Sequence, residues 1–206
     1  MLIQMPILYS FRRCPYAIRA RLALYLSKIS HGHREIDLKN KPIEMLTMSP
    51  KGTVPILIVS NDILLEESLD IMKWAFKIPN LDSKDTLLIE ENDTRFKYAL
   101  DRYKYPGRYP VKDDLDYQKE CIEFLRKIEN RLSPFLNGNN ISFLDLAIFP
   151  FIRQFSMVDS EWFKELPYPH VKMWLSSLTE SELFQNVMKK YPLWTLNNDP
   201  IIISSY

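Results

Sequence analysis

Ile7-Leu8-Tyr9-Ser10-Phe11-Arg12-Arg13-Cys14-Pro15-Tyr16-Ala17 contains a change of structural period. Ile7-Leu8-Tyr9 is a short apolar run suited to a strand, and beyond Pro15 the residues Ile18, Leu22, Tyr25 and Leu26 recur at helical spacing. The stretch therefore reads as strand, loop and helix, the helix spanning 15–28. Cys14 falls at the helix N-cap, and Pro15 occupies the first turn, where a missing amide proton costs nothing. Unpaired amides and the positive dipole end converge there, and Arg12 and Arg13 add positive potential, so an ionised sulfur is favoured. A small packed residue is the common fate of cysteine. The strand-to-helix position favours a nucleophile instead.

Working outward, 33–38 alternates, with Arg34, Ile36 and Leu38 on one side and His33, Glu35 and Asp37 on the other, which predicts an exposed strand. Residues 43–48 suit a short helix that stops at Ser49-Pro50, because the residue before proline avoids the helical region. Two β-rich runs, 54–59 and 63–65, flank Ser60-Asn61-Asp62 and predict a hairpin. Ser68 is a suitable N-cap for a helix over 69–77. The order is βαβαββα.

Periodicity then breaks over 78–85, from Ile78-Pro79-Asn80 to Asp85, and only helical patterns follow: 86–104, 114–136, 142–157 and 171–189. The expected architecture is an α/β domain over 1–78 followed by an all-helical bundle over 86–206, with 201–206 too short to assign. Ser142-Phe143-Leu144-Asp145 has capping-box spacing and is read as structural. Cys121 lies mid-helix and is read as packing, and the four tryptophans, Trp74, Trp162, Trp174 and Trp194, as core or interface residues.

Composition narrows the function. The chain of 206 residues has 27 Lys and Arg against 26 Asp and Glu, a balance too even to suggest a surface for nucleic acid. Two cysteines make neither a disulfide framework nor a four-ligand metal site, and they fit a reducing compartment. His31, His33 and His170 show no ligand spacing with acidic residues, so no metal is expected. Four glycines leave little material for a phosphate-cradling loop. No export signal is visible, and the longest apolar stretch, 143–151, is interrupted by Asp145 and Pro150 and too short to span a bilayer. A cytoplasmic protein without a membrane partner is expected.

Three motifs in order, Cys14-Pro15-Tyr16-Ala17 at the first helix, Gly52-Thr53-Val54-Pro55 before a strand and Glu67-Ser68 opening a helix, resemble the cysteine-type glutathione S-transferases, the omega class above all. The resemblance covers both halves, since that family joins a thioredoxin-like domain to an all-helical one. It implies that glutathione is a co-substrate. Glu67 and Ser68 would hold its γ-glutamyl end, and Val54 would offer backbone hydrogen bonds to its cysteinyl unit. Pro55 would follow a cis peptide. Lys41, with Lys39 as a rival, would meet the glycyl carboxylate. Without the other motifs, Ser68 reads equally as a helix cap, Glu67 as a solvated charge and either lysine as a surface residue.

Ala17 stands where dithiol relatives carry a second cysteine, so an outside thiol must resolve any mixed disulfide. Tyr9 and Ser10 match neither a tyrosine-type nor a serine-type activating hydroxyl clearly. Arg102, Tyr105 and Arg108 belong to an aromatic and basic cluster over 102–109, where the family's acceptor pocket opens. Their alternative reading is a tyrosine-rich helix end with snorkelling arginines. The expected function is a glutathione-dependent thiol transferase or reductase, acting on a small electrophilic or disulfide substrate through Cys14. The rival is a catalytically silent interaction or regulatory module on the same scaffold. A homodimer is implied by the resemblance.

Overall fold

The computed structural model describes residues 5–60, 62–109 and 115–204. Asn61 of the expected turn, Asp114 at the expected start of the second long helix and Tyr206 at the end of the expected second domain lie outside them.

The first unit comprises Met1–Asn80 together with Glu182–Tyr206. Its elements before the break are β1 (Ile7–Ser10), α1 (Pro15–Leu26), β2 (His31–Glu35), α2 (Ile43–Met48), β3 (Ile56–Ser60), β4 (Ile63–Leu65) and α3 (Ser68–Phe76). This is the βαβαββα order read from sequence. The sheet has strand order β4-β3-β1-β2-β5, where β5 is Ile201–Ile203. β1 runs parallel to β2, with Tyr9 opposite Arg34, and antiparallel to β3, with Tyr9 opposite Ile56. The hairpin β3–β4 forms as expected, with a register shift between Ile58 and Ser60.

The chain end changes the expected partition. The sequence predicts a second domain running to 206, whereas Glu182–Tyr206 groups with the first unit. β5 pairs antiparallel with β2, His31 opposite Ile203 and His33 opposite Ile201, and α10 (Glu182–Val187) packs on α1. Without β5, β2 would be an edge strand with open amides and carbonyls. The returning segment closes that edge.

It also explains why β2 is not the exposed strand that alternation predicted. The strand starts two residues earlier, at His31, and His31, His33 and Glu35 are all buried. β5 makes β2 an interior strand, and the same chain end packs on its side chains, Tyr191 lying 4.9 Å from the His33 ring and Trp194 4.0 Å from the Arg34 guanidinium, so alternation no longer reports solvent.

α1 is buried nearly all round, between α3 and α10, and the buried set includes Arg19 and Arg21. A buried guanidinium persists only when its donors are satisfied. Arg21 spends them on Ser10 Oγ (2.5 Å), Phe11 O (3.4 Å), Arg12 O (2.7 Å), Val187 O (2.8 Å) and Met188 Sδ (3.5 Å).

The second unit, Leu81–Ser181, is helical throughout its described residues apart from turns and an isolated bridge between Phe135 and Gly138. The helix expected over 86–104 comprises α4 (Ser83–Glu91), a π-helical turn (Asn92–Phe96) and α5 (Lys97–Lys104). α6 (Tyr117–Arg131), α7 (Phe143–Ser156), the short α8 (Ser160–Glu165) and α9 (Pro169–Glu180) follow. The helix expected over 171–189 is interrupted at Ser181 and becomes α9 and α10.

Asp145 is fully buried at the start of α7 and carries the capping box, accepting from Ser142 N (2.9 Å) and Ser142 Oγ (2.6 Å). It also accepts from Leu136 N (2.9 Å) and Trp174 Nε1 (2.8 Å), so one carboxylate ties three segments of the unit together. This is the structural role read from its spacing. No helix among the described residues is long and apolar enough to cross a membrane.

Candidate active site

The site in the first unit is built on the turn between β1 and α1. Cys14 is the N-cap of α1 with extended backbone (φ −72°, ψ 122°), and Pro15 begins the helix. Its amide donates to Phe11 O (3.0 Å), which folds the turn. Its carbonyl accepts from Ile18 N (2.9 Å). Cys14 is half-buried, and its Sγ lies 3.7 Å from Val54 O. Val54 precedes β3 through a cis peptide to Pro55, as the resemblance implied. Two segments forty residues apart thus meet at the sulfur.

The floor beneath is a cluster of Tyr9, Ile36, Met45, Val54, Ile56 and Trp194, with Cys14 packed against it. Trp194 comes from the returning chain end, its amide donating to Glu35 O (2.7 Å) and its ring meeting Tyr9 edge-on at 5.8 Å. Arg34 stacks on that indole at 4.0 Å and bonds the Tyr9 hydroxyl.

Tyr9 and Ser10 are both fully buried, and Ser10 Oγ accepts from Arg21. Burial raises the Tyr9 pKa, and the nearby Arg34 opposes that rise without cancelling it. Both hydroxyls are thus engaged within the protein, Tyr9 by Arg34 and Ser10 by Arg21. Cys121 is fully buried in α6, and burial pushes its thiol well up, which makes it inert as a nucleophile.

Ser68 is the first residue of α3, and Glu67, not Ser68, is the N-cap. The helix therefore begins one residue earlier than expected. Ser68 is 4% exposed, with its hydroxyl accepting from Arg19 Nη1 at 3.5 Å, while Glu67 is exposed and paired with Lys51. The first-turn amides of α3 have no partner within the helix and suit a carboxylate. Lys41 is half-buried and crosses Gly52. A Cβ at Gly52 would lie 3.5 Å from its Nζ, and Gly52 itself has φ +61°, a conformation glycine adopts without strain. Lys41 thus adjoins the loop that leads to Val54. Lys39 is exposed on the turn after β2.

Arg102, Tyr105 and Arg108 lie in the second unit, at and just beyond the end of α5. The Arg102 guanidinium rests 3.3 Å from the Tyr98 ring centroid and 4.9 Å from that of Tyr109, and Arg108 lies 4.7 Å from Tyr105. Each of these cations stacks on a neighbouring tyrosine ring.

Sequence reasoning missed Arg21, Glu35 and His33. Glu35 accepts from Arg12 N (2.6 Å) and meets His33 Nε2 at 3.1 Å, so it fixes the loop that carries the cysteine. His170 likewise meets Glu129 at 2.8 Å. Two of the three histidines therefore have carboxylate partners that linear spacing did not reveal. The available signal was two arginines inside the otherwise apolar 15–26 run.

Comparison with known proteins agrees with this architecture. Sequence models of the glutathione S-transferase N-terminal and C-terminal domains match residues 8–83 and 97–177. A probable glutathione S-transferase parA of Nicotiana tabacum is 29% identical over 204 residues, covering 90% of this chain and 89% of the relative. Glutathione S-transferase omega-1 of Rattus norvegicus is 26% identical over 196 residues, covering 84% and 76%. A glutathione transferase family member from Pseudomonas fluorescens, crystallised with two glutathione bound, superposes with a TM-score of 0.75 at 14% identity, covering 91% of this chain and 94% of that one.

Proposed function

Since the chain belongs to the glutathione S-transferase family and is a glutathione-dependent transferase, we propose that it works through Cys14 as a thiol transferase of the omega type. The observation that carries this reading is the Cys14 sulfur, half-buried at the start of α1 and 3.7 Å from Val54 O. A thiolate there is stabilised by the helix end and lies beside backbone that can pair with an extended tripeptide.

Glutathione is placed by complementary charge. Its γ-glutamyl carboxylate meets the Ser68 hydroxyl and the first amides of α3, its ammonium meets Glu67, and its glycyl carboxylate meets Lys41. The ligand ammonium then competes with Lys51 for Glu67. Val54 supplies the backbone contact to the cysteinyl unit, and Pro55 holds that loop.

The reaction is thiol–disulfide exchange. The Cys14 thiolate attacks the glutathione sulfur of a mixed disulfide, the S–S bond breaks, and the substrate thiolate leaves and takes a proton from solvent. Cys14 is then disulfide-bonded to glutathione. A second glutathione thiolate attacks that bond, releasing oxidised glutathione and regenerating the Cys14 thiolate. Small disulfides and glutathionyl conjugates are substrates of this chemistry. A homodimer in the cytoplasm is proposed as the working state.

The test is intact mass after incubation with oxidised glutathione, paired with turnover of a small mixed disulfide. One glutathione adduct, absent from Cys14→Ser together with the turnover, is expected. Undiminished turnover in that variant would overturn the mechanism, and absence of adduct, turnover and glutathione retention would favour a silent scaffold module.

A further inference from the structure

A second hollow lies within the first unit, formed by α1, β2, β5 and α10, with a volume of about 260 Å³. An apolar cavity of about 150 Å³ accommodates a benzene ring, so a single ring fits. The walls combine Val187, Ile201 and Ile203 with the rings of Tyr25 and Tyr191. Val187 is buried, and the Tyr191 ring centroid lies 4.9 Å from that of His33.

Two histidines give this chamber its polarity together with Asn186, whose Nδ2 donates to the Tyr25 hydroxyl (2.9 Å). His31 is 4% exposed, and its Nδ1 lies 3.1 Å from Ile29 O, which requires the proton on Nδ1. Nε2 is then an acceptor, and no described residue donates to it. His33, 2% exposed, has the opposite arrangement: Nε2 lies 3.1 Å from a Glu35 oxygen and carries the proton, leaving Nδ1 an acceptor without a partner. Burial and the Arg21 charge lower the pKa of both rings, so both are neutral at neutral pH.

The charged groups do not turn this into an anion site. Arg21 also lines the chamber, but its guanidinium hydrogens are spent on five protein acceptors. Lys189 is exposed at the rim. A carboxylate inside would set acceptor against the imidazole lone pairs, whereas a hydroxyl would satisfy one of them.

We propose that this chamber is a ligand site for a small phenol or comparable aromatic alcohol, whose ring packs among Val187, Ile201, Ile203 and the tyrosines while its hydroxyl donates to His31 Nε2. The site is separate from the groove of Cys14, Val54 and Ser68, and its existence does not depend on the reaction at Cys14.

The experiment titrates phenol, toluene and benzoate into the full chain saturated with glutathione, by calorimetry and methyl NMR. Phenol is expected to bind about fivefold or more tightly than toluene, the net effect of one hydrogen bond made in exchange for water, and benzoate more weakly than phenol. His31→Phe should erase the preference for phenol over toluene, and Ile203→Trp should block both. Shifts at the methyls of Val187, Ile201 and Ile203 locate the ligand in the wild-type protein even where a variant fails to fold. Equal binding of toluene or benzoate, shifts at other methyls, or a chamber that takes water only would overturn the assignment.

Discussion

Replacing Glu67 with alanine should separate ligand holding from folding. Glu67 is exposed at the N-cap of α3, makes no capping hydrogen bond and pairs with Lys51, the two side chains being 60% and 52% exposed. An ion pair so open to water contributes little to stability, so the melting temperature should stay within error. The ammonium of a bound glutathione would lose a charge-assisted hydrogen bond. Such bonds contribute about 1.5–3 kcal/mol, and solvent exposure places this one near the lower end, about 1–2 kcal/mol. That corresponds to a rise of about 5- to 30-fold in KM for glutathione, since 1.4 kcal/mol is a factor of ten. Lys51→Ala has the opposite sign, because it removes the competitor for Glu67 and leaves glutathione binding unchanged or tighter. Steady-state kinetics with glutathione varied at saturating mixed disulfide measures both. An unchanged KM in Glu67→Ala with the fold intact would refute the placement. A fall in kcat at constant KM would assign Glu67 to the chemistry instead.

Acid should destabilise the first unit through His31. Its folded pKa is lowered from 6.5 to about 4, chiefly by burial, so between those values the unfolded chain binds the extra proton and stability is lost as pH falls. The loss is about 3 kcal/mol by pH 4, with His33 acting in the same direction. Urea unfolding at a series of pH values should show the slope in the wild type and a smaller one in His31→Phe. Asp145→Ala strands the buried donors at Leu136 N and Trp174 Nε1 and removes the capping box, so a loss of about 3–5 kcal/mol is expected in urea unfolding. Tyr9→Phe removes a hydroxyl engaged by Arg34 and should leave turnover within about twofold while costing about 1 kcal/mol of stability. A large fall in turnover would assign Tyr9 the activating role in place of Cys14. Sedimentation equilibrium should give a mass of two chains, and a mass near 24.5 kDa would count against the homodimer.

Local chemistry made much of the site readable. Cys14 before Pro15, Val54 before Pro55 and Glu67 before Ser68 each sit at an element boundary, where breaker and capping residues act on neighbours a few positions away. A linear pattern records such short-range effects. It also recorded the capping box at Asp145, but not the bonds from Leu136 and Trp174, which come from elsewhere in the chain.

Alternation over 33–38 suggested a solvent-facing strand because periodicity reports which residues share a face, not what covers it. The cover comes from the chain end beyond the break at Ser181, where Tyr191 lies 4.9 Å from the His33 ring and Trp194 stacks on Arg34, while β5, three residues long, closes the edge. Arg21 was likewise visible as a charge in an apolar helix, but its acceptors lie on Ser10, Phe11, Arg12, Val187 and Met188. The sequence alone determined the order of elements from β1 to α3, the break near residue 80 and the cysteine at a helix start. Only the tertiary structure decided that the chain end returns to close the sheet, that His31 and His33 are buried and that Trp194 floors the site. Those outcomes come from pairing and burial between segments far apart in the chain, which leave no short-range period to read.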